Sequence, residues 1–124
     1  MWQMGFLLVA VGGALGASSR YAVTLLMRPM SGVFPWHTLG VNIVGSFLLG
    51  LLMALVPNGD AGERLRLFLG VGVLGGFTTF SSFSVDALTL VQQDQWLTAG
   101  VYVLGSMTAA LVGAAAGYAA GRAL

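Results

Sequence analysis

Four apolar stretches, each long enough to cross a bilayer, occupy most of this chain, and that spacing decides what it can fold into. A spanning helix needs about 20 consecutive, mostly apolar residues. The sequence offers such runs at roughly 4–27, 38–56, 67–91 and 96–120. Between them lie "RPMSGVFPW", with two prolines and an arginine, "PNGDAGERLR", the segment richest in charge, and the short "QQDQ". Trp2, Trp36 and Trp96 stand at span edges, where aromatic rings anchor a helix at the headgroup level. The expected fold is all-α: one membrane domain, residues 1–124, of four transmembrane helices. The amino-terminal run lacks a basic segment before Phe6 and continues beyond a signal-peptide core. It is expected to be retained as the first span.

Composition removes other classes. Charged residues make up 7% of the chain and hydrophobic ones 57%, against about 25% charged in an ordinary globular domain. Nine charges cannot cover the surface of a soluble protein of this size, so lipid must be the solvent for most of it. A net charge of +1 gives nucleic acid nothing to bind. Without cysteine there is no disulfide, thiolate metal site or cysteine nucleophile. No HExxH, P-loop or GxSxG motif occurs, and an enzyme is not expected.

Small residues recur four apart at Gly12 and Gly16, at Gly72 and Gly76, and at Ala109, Gly113, Gly117 and Gly121. This spacing clears one helix face and lets backbones approach. With four spans, Arg64, Arg66 and Arg122 fall on one side of the membrane and Arg28 on the other, with Arg20 inside its span. A bias this small fixes no single orientation. The expectation is dual topology, with oppositely inserted copies pairing as an antiparallel homodimer.

The third run is interrupted by "GGFTTFSSF", Gly75 to Phe83. The glycines permit unusual backbone angles, and the hydroxyls can bond freed backbone groups. Such a break inside a membrane is tolerated where protein or a polar cavity surrounds it. It points either to an ion site or to a kink. A helix resuming near Phe80 would place Phe80 and Phe83 on one face, with positive ring edges available to an anion.

Polar groups within the spans are functional candidates. Arg20 is either a structural arginine on carbonyls of a broken helix or an anion attractor. Asn42 is either interhelical glue or a neutral donor. Asp86 can cap the second half-helix, pair with Arg20 or, as an isolated acid, relay a proton. His37, beside Trp36, is expected at the interface. Ser18, Ser19, Ser46, Thr78, Thr79, Ser81, Ser82, Ser84, Tyr102, Ser106 and Thr108 complete the set.

Together "GGALGASSRY" (12–21), "GVNIVGSFLLG" (40–50) and "GVLGGFTTFSSFSVD" (72–86) resemble the Fluc, or CrcB, family of fluoride channels over nearly the whole chain. The resemblance implies an antiparallel dimer with two fluoride pathways along its interface. A structural sodium ion would sit on the two-fold axis at the third-span break, held by the carbonyls of Gly75 and Thr78 from each copy. Phe80 and Phe83 would line the pore, and Asn42 would point its amide into it. Thr79 and Ser82 would line or support it, Tyr102 and Ser106 would extend a polar track, and Arg20 would sit near the vestibule. Two departures stand out. Ala110 follows Ser106 where a hydroxyl is expected, and Asp86 stands where a longer carboxylate is. The implied function is passive fluoride export across a bacterial inner membrane, because an interior-negative potential drives an anion outward by about 2.3 kcal/mol per 100 mV. The alternative is a four-span, proton-coupled drug exporter of the small multidrug resistance type. That family relies on an acid in its first span, and none is present here.

Overall fold

The computed structural model describes residues 2–30 and 32–124. Among these the chain is helical, and four helical stretches are long and apolar enough to cross a membrane: Trp2–Met30, Trp36–Leu55, Asp60–Gln92 and Trp96–Ala123. The first comprises α1 (Trp2–Met27) and a 3-10 turn, Arg28–Met30. The second is α2 (Trp36–Leu55), which starts after Pro35. Proline cannot donate an amide hydrogen bond, so it suits the start of a helix. The fourth is α6 (Trp96–Ala123).

The third span is not one uniform helix. It opens as α3 (Asp60–Leu65), widens into a π-helical segment (Arg66–Leu74), and returns to a single α-helical turn, α4 (Gly75–Phe77). The Gly75 amide closes the wide segment on the Gly70 carbonyl, five residues back. Thr78 and Thr79 are then extended, with φ −79°, ψ 156° and φ −150°, ψ 117°, before α5 (Phe80–Gln92) begins. The sequence predicts only an apolar span from 67 to 91 with an interruption at 75–83. The π-helical turns were not foreseen, because an i→i+5 pattern differs from an α-helix in ring size and not in hydrophobic content.

Two parallel helix pairs frame this span. α1 lies along the π-helical segment and α4, and α2 lies along α6. Both crossings are set by missing side chains. A methyl group on Gly72 would stand 2.9 Å from the Gly12 Cα, and one on Gly117 would run into the Phe47 carbonyl. The small-residue stripes read from the sequence are therefore places where one backbone rests on another. A smaller cluster of Phe83, Leu90, Ala99 and Tyr102 joins α5 to α6.

A backbone contact cannot yield as a side chain can. Gly117→Ala is expected to destabilise the folded protein by about 1–3 kcal/mol despite the better helix propensity of alanine. Gly13→Ala, whose new methyl would have its nearest neighbour at 4.0 Å, is expected to be neutral or stabilising. Thermal unfolding in detergent compares the two, and equal midpoints would contradict the packing described.

Candidate functional site

A helix that stops at Phe77 and restarts at Phe80 must dispose of the backbone groups it frees, since each costs several kcal/mol if left unpaired in hydrocarbon. Asn42, half-buried on α2, meets two of them. The Thr79 amide donates to Asn42 Oδ1 at 2.8 Å, and Asn42 Nδ2 donates to the Thr79 carbonyl at 3.0 Å. Thr79 in turn caps α5, its Oγ1 accepting from the Ser82 amide at 3.1 Å. The Arg20 guanidinium donates through Nε to the Gly76 carbonyl at 3.2 Å. Of the two sequence alternatives for Arg20, this is the structural one. For Asn42 it is the interhelical bond, although the second Nδ2 hydrogen is not used by Thr79.

These bonds leave two carbonyls without their helical partners. In a continuous helix the Gly75 carbonyl would accept from the Thr79 amide, which goes to Asn42. The Thr78 carbonyl would accept from the Ser82 amide, which goes to Thr79 Oγ1. Gly75 and Thr78 are thus suited to offer oxygen to a hard cation. Among the described residues no group of three or more His, Cys, Asp or Glu side chains is placed to hold a metal.

Beside the break a groove of about 260 Å³ is walled by Asn42, Thr79, Phe80, Phe83, Ser106 and Ala110, with Gly45, Ser46 and Thr78 among its neighbours. No charged side chain lines it. Phe80 and Phe83 do share a face, with ring centroids 5.4 Å apart and planes tilted by 54°. Phe83 is 8% exposed and Phe80 78%, so the groove opens on the outside of the subunit. Ser106 is 6% exposed, and its Oγ has no hydrogen-bond partner in the structure. A buried hydroxyl left in that state loses the full value of its hydration. Ala110, the departure noted in the sequence, forms part of the wall and supplies no donor.

Not every candidate faces this groove. Ser82 lines a second cavity of about 330 Å³ with Arg20, Thr24, His37, Thr38, Ser81 and Asp86. Thr79 borders both cavities. Tyr102 has no exposed surface. It stands behind Phe83, centroids 5.2 Å apart, and donates to Asp86 Oδ2 at 3.2 Å. Asp86 also accepts from Thr38 Oγ1 at 2.6 Å. It neither caps α5, where Thr79 does so, nor is it bridged to Arg20, because Thr38 and Tyr102 hold it from α2 and α6. Sequence reasoning missed Thr38 as its partner and missed Phe34, whose ring meets Tyr102 edge-on at 5.4 Å. Only the adjacency of "FPW" to the start of α2 hinted at the latter.

Residues 7–118 match the model of a family described as CrcB-like protein, Camphor Resistance (CrcB). The chain is also similar to three proteins named fluoride-specific ion channel FluC. One, from Sphingopyxis alaskensis, is 51% identical over 111 residues, 88% of each chain. One from Agrobacterium fabrum is 50% identical over 117 residues, covering 93% of this chain and 94% of its own. A third, from Thermus thermophilus, is 49% identical over 120 residues, 96% of each.

Asn42→Ala removes both partners of Thr79 and is expected to cost about 2–5 kcal/mol, from two unpaired backbone groups. Thr79→Ala removes the cap and the contact of Thr79 Oγ1 with the Ser81 hydroxyl at 3.2 Å, leaves the Asn42 bonds in place, and is expected to cost about 1 kcal/mol. Unfolding midpoints in detergent that rank the two in the opposite order would refute the clamp.

Proposed function

This chain belongs to the CrcB-like family, and from that membership we propose that it is a fluoride-selective passive channel through which fluoride leaves the cell down its electrochemical gradient. The observation that carries the reading is the uncharged groove of Asn42, Phe80, Phe83 and Ser106, with its buried hydroxyl in search of an acceptor. A small anion gives up water only where donors replace it. Ser106 Oγ–H, the spare Asn42 Nδ2 hydrogen and phenyl ring edges are such donors. None carries a charge, so the ion is stabilised without being trapped. Fluoride would pass from the cavity beside Arg20, across Thr79, into the groove. Ser82 supports the first part of that path. Tyr102 acts from behind, fixing Phe83 and Asp86.

The groove is open along one side, and Phe80 projects from it. The fitting cover is a second, oppositely inserted copy, which makes an antiparallel homodimer with two pores along its interface and the third-span break at mid-membrane. Carbonyls of Gly75 and Thr78 from both copies would then hold a sodium ion on the two-fold axis. The ion's charge would satisfy those oxygens and fix the two breaks against each other. A multi-pass place in the bacterial inner membrane follows from this role. No acid in α1 supports the drug-exporter alternative.

Purified protein in liposomes loaded with potassium salts, with a potassium ionophore added to shunt the potential, is expected to release fluoride and retain chloride. Equal chloride release would overturn the proposal. Phe83→Ile is expected to slow fluoride release by about tenfold or more, the rate equivalent of one lost ring-edge interaction, while the protein still elutes as one species. Undiminished flux would remove the aromatic wall from the pathway.

A further inference from the structure

Five aromatic rings stand in file from the loop before α2 to the groove. Trp36, the first residue of α2, lies against Phe34 with centroids 4.4 Å apart. Phe34 meets Tyr102 at 5.4 Å with planes 88° apart, edge to face. Tyr102 backs Phe83 at 5.2 Å, and Phe83 meets Phe80 at 5.4 Å. Phe80 and Phe83 line the groove; Tyr102, Phe34 and Trp36 do not. Phe34 borders a separate cavity of about 190 Å³ under residues 32–36 and the end of α5. It touches the groove's wall through Tyr102 alone of these rings.

Tyr102 has no exposed surface, and its hydroxyl donates to Asp86 Oδ2 at 3.2 Å. That hydroxyl lies on the axis about which a phenol ring turns. The hydrogen bond therefore fixes where the ring ends but not how it is tilted. Tilt is set by what lies against its edges and faces, which are Phe34 on one hand and Phe83 on the other. Among the half-buried residues packed on this cluster, Leu39, Ala87, Val91 and Val103 belong to helices, whereas Phe34 comes from the loop. The loop is itself restrained there. The Trp36 amide donates to the Phe34 carbonyl at 3.0 Å, and Pro35 between them has a locked φ.

We propose that Phe34 is a positioning residue for the anion pathway: acting through Tyr102, it holds the ring of Phe83 at the tilt the groove requires. The inference rests on the fluoride-channel reading. An aromatic ring is directional, positive at its edge and negative on its face. A Phe83 ring free to turn would offer an anion repulsion as often as attraction. An aliphatic side chain at 34 fills the space behind Tyr102 but lacks the edge that fixes its tilt.

The initial rate of fluoride release from potassium-loaded liposomes, with a potassium ionophore added, is compared for the wild type, Phe34→Leu, Phe34→Tyr, Phe83→Ile and Phe34→Leu,Phe83→Ile. Each must elute as one species, and Phe34→Met replaces the leucine variant if that one does not. Phe34→Leu is expected to slow release about threefold to tenfold, the equivalent of one edge-to-face pair. Phe34→Tyr, which keeps the ring, is expected to restore most of the rate. In the Phe83→Ile background, Phe34→Leu is expected to cause no further loss, because the ring it positions is gone. A wild-type rate in Phe34→Leu overturns the inference and leaves the channel reading standing. So does an equal loss in Phe34→Tyr, or the same fold-loss in the Phe83→Ile background, since Phe34 then acts through packing alone. Absence of fluoride release from the wild type overturns the channel reading itself, and the inference with it.

Discussion

The bonding of one carboxamide to one residue's backbone determines the rest of this structure. Thr78 and Thr79 leave the helical region, and Asn42 takes both the amide and the carbonyl of Thr79. That exchange makes the interruption a fixed joint and not a frayed turn. It also redirects what surrounds it. The amides that would have served Gly75 and Thr78 in a continuous helix are occupied elsewhere, so those carbonyls lose their helical donors. The helix restarts at Phe80 in a new register, with the rings of Phe80 and Phe83 on one side. The proposed cation site and the proposed anion wall thus both lie at the joint that Asn42 and Thr79 fix.

Charge is placed with economy around that joint. Asp86 is held by Thr38 and Tyr102, and Arg20 spends its Nε hydrogen on the Gly76 carbonyl. Neither lines the groove where Ser106 and the phenylalanines stand. In the proposed channel this separation matters, because a full charge beside the ion would hold it or repel it, whereas neutral donors exchange it. The glycine crossings of α1 with the third span and of α2 with α6 give the groove walls a rigid frame.

The sequence made the larger features legible through length and chemistry. Four spans follow from four apolar runs, and the breaks between them from proline, glycine and charge. The restart of the helix at Phe80 and the shared face of Phe80 and Phe83 follow from local composition and three-residue spacing. What stayed hidden depends on tertiary neighbours. That Asn42 bonds the backbone of Thr79 follows from tertiary packing, since Thr79 lies 37 positions away in the chain. Asp86 neither caps α5 nor pairs with Arg20, the two bonding roles its type and place suggested, because Thr38 and Tyr102 hold it from other helices. The π-helical turns of 66–74 leave no hydrophobic signature at all. Ser106 was named as a polar candidate, but its lack of a partner is a property of the packed structure alone.

In the proposed channel, fluoride resides against the ring edges of Phe80 and Phe83 and the hydroxyl of Ser106. Solid-state NMR measures this directly, through dipolar dephasing between bound 19F fluoride and 13C placed in phenylalanine rings and serine Cβ of the reconstituted protein. The account expects dephasing of ring carbons that disappears in Phe80→Ile,Phe83→Ile, and of a serine Cβ that disappears in Ser106→Ala. Bound fluoride that dephases neither the rings nor that serine would contradict it.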